Sequence, residues 1–84
     1  MSKRYNGIWF LIEADVTETM FFHKVRWVTK GATAGDECIL KDENGEILFH
    51  SVASGANYVD SFELNRQAKL TVSTLDSGEL FLYE

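Results

Sequence analysis

The amino-acid sequence predicts an all-β fold, a small antiparallel β-sandwich or barrel of six to seven short strands. Three observations carry that expectation. Met20 to Thr29 alternates with period two, Ile8 to Ile12 is an unbroken run of β-formers, and Asn44-Gly45 and Ser77-Gly78 mark tight turns between apolar segments.

At 84 residues the chain makes a single domain, 1–84, in which residues 1–12 stand out as an assembly or anchoring segment. Size scaling gives about 5,100 Å² exposed when folded against about 13,900 Å² unfolded, so roughly 60% of the surface is buried. The core is thin. Hydrophobic residues at 45% and charged residues at 25% sit near the globular average, and eleven aromatics without any proline put the core on large side chains. A lone cysteine, Cys38, excludes an internal disulfide framework and points to synthesis in a reducing interior. Ile8 to Ile12 is too short for a signal-peptide core or a membrane span.

Taken in order, Ile8 to Ile12 reads as a strand covered on both faces, with cover supplied in part by another chain. In the next segment the alternation sets Phe21, His23, Val25 and Trp27 on the inward side and Phe22, Lys24, Arg26 and Val28 on the other. Small-residue loops follow at Gly31 to Gly35 and at Ala53 to Asn57; neither has the Lys-Ser/Thr pair of a phosphate-binding loop. Asp42 to Glu46 forms a three-residue hairpin loop with Gly45 at positive φ. That register places Leu40 opposite Leu48, Ile39 opposite Phe49, Cys38 opposite His50 and Lys41 opposite Ile47. Tyr58 to Gln67 fits a strand through Tyr58, Asp60, Phe62 and Leu64, or a short helix through Val59, Phe62 and Arg66; we read a strand. A last hairpin turns at Gly78 and pairs Thr74 with Leu80, Ser73 with Phe81 and Val72 with Leu82. Leu70, Val72, Leu80 and Leu82 then form one core face.

No catalytic, cofactor-binding or metal-ligating residue emerges. Cys38 facing His50 would bring a thiol to an imidazole, yet no third group or oxyanion donor accompanies them, and buried cysteine is ordinarily a small hydrophobe. His23 on an apolar face reads as a core histidine. Asp42, Asn44 and Glu46 share the spacing of a calcium loop but lack its distant bidentate glutamate, so the turn reading prevails. Asp36-Glu37 beside Asp42-Glu43 reads as a solvated acidic patch; Tyr5, Trp9 and Trp27 offer a stacking platform for bases or sugars, but core packing is the commoner fate of the two tryptophans.

The formal charge of −5 argues against nucleic acid as a partner, and no span argues for a membrane. The charge is unevenly spread: residues 1–30 carry +2 and residues 31–84 carry −7. Such a dipole steers docking or head-to-tail association. Phe81 and Tyr83 share a strand face with Thr71 and Ser73, and aromatics among small hydroxyls are a common form of contact surface. Together with the apolar run they give the candidate interface Ile8, Trp9, Phe10, Phe81 and Tyr83, and a homo-oligomer as the expected state.

Several stretches carry a resemblance. They are Arg26-Trp27-Val28, Ala34-Gly35-Asp36, Lys41-Asp42, Asn44-Gly45-Glu46, Ser51-Val52-Ala53, Gly55-Ala56-Asn57-Tyr58-Val59 and Leu70 to Gly78. In these the chain resembles small all-β proteins encoded among the virion genes of tailed bacteriophages, over about its last two-thirds. The resemblance implies a non-enzymatic part of the particle without cofactors, located in the virion and in the host cytoplasm during assembly. A capsid decoration protein bound to the major capsid protein comes first, a connector or tail accessory protein next. A small acidic inhibitor of a host protein is the alternative from another class. Under the decoration reading, removing residues 1–12 abolishes particle binding and leaves the remaining fold largely intact.

Overall fold

Each alternating segment becomes a strand in a computed structural model that describes residues 3–84; residues 1 and 2 of the expected anchoring segment lie outside the described residues. The strands are β1 (Lys3–Tyr5), β2 (Ile8–Leu11), β3 (Met20–Val28), β4 (Glu37–Lys41), β5 (Ile47–Val52), β6 (Val59–Ala68), β7 (Thr71–Leu75) and β8 (Glu79–Tyr83). They form a five-stranded sheet in the order β1-β2-β8-β3-β6 and a three-stranded sheet in the order β5-β4-β7, all pairings antiparallel. The architecture is a sandwich and not a closed barrel. The one strand beyond the expected count is β1, which joins β2 through the two-residue turn Asn6-Gly7 with φ of 51° and 77°. Both central residues of such a turn need positive φ, which is why Asn-Gly occupies it.

The core lies between the sheets. Trp9, Leu11, Phe22, Val25, Trp27, Leu80 and Leu82 point in from the larger sheet, and Cys38, Leu40, Phe49 and Val72 from the smaller, joined by Leu70 just before β7. Each large side chain so buried stabilises the fold by about 1.5–3 kcal/mol relative to exposure. Residues 14–17 run along β7 and cover that edge, with Ala14 donating to the Val72 carbonyl at 2.9 Å and Thr17 to that of Leu70 at 2.8 Å. The two small-residue loops close one end by bonding to each other: the Gly31 and Ala32 amides both donate to the Ala56 carbonyl, at 2.9 and 3.0 Å.

Four expectations are corrected. In β3 the inward residues are Phe22, Val25 and Trp27, whereas Phe21 is 48% exposed. Between the pairs Phe22↔Arg66 and Lys24↔Glu63, β3 advances two residues while β6 advances three, and the alternation of β3 reverses there. His23 is therefore no core histidine; it is exposed and meets Phe21 edge to face, with ring centroids 4.9 Å apart.

In the first hairpin the expected loop forms, with Lys41 opposite Ile47. A bulge next to it then shifts the register, so that Leu40 faces Phe49, Ile39 faces His50 and Cys38 faces Ser51. The shift turns the larger Phe49 into the core in place of Leu48. Cys38 and His50 are not paired.

The last hairpin does not exist as a ladder, because β7 pairs with β4 and β8 with β2 and β3. Asp76 stays bonded to β4, its amide to the Glu37 carbonyl at 3.0 Å and its carboxylate to the Glu37 amide at 2.8 Å, before the chain crosses between sheets. Leu70, Val72, Leu80 and Leu82 are all buried as expected, but they face one another from opposite layers. Finally, β2 is covered within this chain on one face only: Trp9 and Leu11 are buried while Phe10 and Ile12 are exposed.

Candidate functional site

The outward face of the larger sheet collects the residues singled out as an interface. Antiparallel partners share a face, so the registers define two cross-sheet rows. One runs Lys3, Phe10, Phe81, Arg26, Ser61, and the other Tyr5, Ile8, Tyr83, Lys24, Glu63. Ile8, Phe10, Phe81 and Tyr83 thus form one cluster at the middle of the sheet. Trp9, the fifth candidate, points the other way into the core and is 8% exposed.

The cluster is ordered by its rings. Phe10 and Phe81 meet edge to face, with centroids 5.1 Å apart and planes at 80°. Lys24 lies over the Tyr83 ring, its Nζ 5.8 Å from the centroid, within the range of a cation–π contact. Arg26 neighbours Phe81 in the next strand, and Lys3 neighbours Phe10. Basic side chains therefore stand on both sides of an aromatic centre in a chain whose total charge is negative. A hollow of about 230 Å³ opens beside Phe10, between Lys3, Ile12 and Glu79.

On the core side of the same sheet, Glu84 fixes the edge strand. Its carboxylate accepts from Arg4 through Nε and, at 2.6 Å, through Nη2, and from the Trp9 indole at 2.9 Å. The Arg4 hydrogen bond, followed by its positive charge, holds the Glu84 carboxyl below the usual range, and Arg4 is raised in turn. This clasp ties β1 to the end of β8 and sets the Arg4 guanidinium 5.6 Å from the Trp9 ring.

On the opposite sheet, Cys38 is fully buried, and burial followed by the Asp60 charge pushes its thiol up to about 12. Ser51, its cross-strand partner, donates to Asp60 Oδ2 at 2.6 Å and lies 3.2 Å from the Tyr58 hydroxyl, a polar contact bridging β5 to β6 and the residue preceding it. His50 points outward to Glu37 at 3.2 Å. Asp42 caps its own loop, its Oδ1 accepting from the Asn44 and Glu46 amides at 2.9 Å each. Among the described residues no three His, Cys, Asp or Glu side chains are grouped to hold a metal ion.

The alternation of β3 after its irregularity puts Lys24 and Arg26 outward, so the basic flanks were legible. Their adjacency to Phe81 and Tyr83 was not, since strand order is invisible to periodicity. No family model, curated protein or solved structure matches the chain.

Proposed function

We propose that this protein is a non-enzymatic structural component that acts by protein–protein contact, with the outer face of the five-stranded sheet as its docking surface. One observation carries the reading: Phe10, Phe81 and Tyr83 lie partly open to solvent at the centre of the sheet, flanked by Lys3, Lys24 and Arg26. Aromatic anchors ringed by charged side chains are the usual composition of a binding hot spot. Following the resemblance of residues 26–78, the partner is a virion protein, the major capsid protein before a connector or tail protein. The task there is to bridge shell subunits by buried area, which needs no chemistry.

Sedimentation with purified particles tests the proposal. The unaltered chain is expected in the particle fraction at a fixed ratio to the shell protein, and Phe81→Ala or the pair Lys24→Glu, Arg26→Glu is expected to weaken retention by about tenfold or more. Retention unchanged by these substitutions removes the face from the account. A chain that stays in the lysate and binds a basic host protein, with strong salt dependence, favours the acidic-inhibitor reading instead.

A further inference from the structure

The longest strand among the described residues has little cover. β6 spans ten residues, of which only Ala68 is buried. It ends the order of the larger sheet and pairs with β3 on one side. Phe62 lies opposite the fully buried Val25, on the core side of the sheet, yet the smaller sheet leaves it 53% exposed. Natural edge strands are commonly blunted by shortness, by proline or by scattered charges. β6 is long and has no proline, its one irregularity falls between Glu63 and Arg66, and its core-side charges are sorted, with Asp60 before Phe62 and Arg66 after it.

We propose that β6 is the seam of a two-fold homodimer, in which the β6 edges of two copies pair antiparallel and continue the sheet across both subunits. A two-fold axis through an edge makes the two strands antiparallel and self-complementary. With the axis near residue 63, Asp60 of each copy stands opposite Arg66 of the other on the core side, which is the arrangement that sorted charges satisfy. Phe62 sits next to the centre of the strand, so the two half-exposed rings approach near the axis and cover each other. The free N–H and C=O groups of the edge supply the ladder. The outer-face docking surface remains open in such a dimer, so this inference stands apart from the particle-binding proposal.

Sedimentation equilibrium of the full chain over micromolar concentrations tests it. A dimer is expected, with Asp60→Lys and Arg66→Glu each raising the dissociation constant about tenfold or more. An equimolar mixture of the two variants is expected to recover most of the affinity, because the new lysine of one then faces the new glutamate of the other. A wild-type chain that stays monomeric, or a dimer indifferent to both variants and their mixture, overturns the proposal. Should a variant lose its native tryptophan fluorescence, hydrogen exchange on the wild type decides: amides of residues 59–67 gain protection with rising protein concentration if β6 is the seam, and unchanged protection there overturns it.

Discussion

Gly45 and Gly78 share a φ of 79° but occupy different surroundings. A Cβ on Gly45 meets nothing within 4 Å, whereas one on Gly78 falls 2.5 Å from the Val28 carbonyl oxygen and 2.8 Å from Thr29 Cγ2. Gly45→Ala therefore costs only the left-handed backbone conformation, about 1–2 kcal/mol. Gly78→Ala adds a collision with backbone and is expected to cost about 3 kcal/mol or more; urea midpoints compared between the two variants check the difference. Cys38 gives a second residue-level outcome. Its thiol ionises near 9.0 when unfolded and near 12 when folded, so its contribution is fully present below the lower value and is lost as pH rises toward the upper one. Each pH unit inside that window removes at most about 1.4 kcal/mol. Cys38→Ala is expected to flatten this alkaline limb of the stability curve while lowering stability at neutral pH by a small cavity term. Thiol reagents are expected to label the wild type only at the rate at which the fold opens.

Among elements, β1 is held by its ladder to β2 and by the Arg4–Glu84 clasp, with all three of its residues exposed. Glu84 has a depressed folded pKa, so the stability it contributes is present above the ordinary carboxylate value and is lost as pH falls through the lower, folded one. Acidification through that window is expected to raise hydrogen exchange in β1 before it raises exchange in β3. Glu84→Gln is expected to remove the pH dependence of that difference, as measured by exchange mass spectrometry. The same elements define how much the sequence could reveal. Strand existence and the inward residues of β7 and β8 were legible, because period-two burial marks the core face of each strand. The sheet to which a strand belongs was not: β7 and β8 show the same alternation whether they pair as a hairpin or face each other across a shared core. Nor were the irregularities in β3 and β5 visible, since each depends on what the neighbouring strand buries. Phe49 displaces Leu48 from the core only once Leu40 is its partner. For the candidate face, Phe81 and Tyr83 could be paired on one side of β8 from sequence. Their contact with Phe10 required the knowledge that β2 and β8 are neighbours.

At the scale of the whole molecule, the N-terminal strands decide whether a separable anchor exists. The decoration reading expected the remaining fold to stay largely intact without residues 1–12, but β2 stands between β1 and β8, and its Trp9 and Leu11 are 8% and 3% exposed. Trp9 meets Phe22 edge to face at 6.5 Å, and Leu11 pairs with the buried Leu80. Truncating one such side chain costs about 2–5 kcal/mol. Deleting both together with their strand also bares the inner neighbours Leu80 and Leu82 and converts β8 into an edge. Small domains have about 5–15 kcal/mol of stability in all, and an 84-residue sandwich belongs near the lower end. The chain lacking residues 1–12 is therefore expected to unfold or to remain as a loose, aggregation-prone state, losing the near-ultraviolet signal of Trp27 along with any binding. Leu11→Ala, by contrast, is expected to stay folded with a lowered urea midpoint. If the truncated chain instead keeps a cooperative transition within about 1 kcal/mol of the full chain, β2 is dispensable to the core and the anchoring reading of residues 1–12 regains its physical basis.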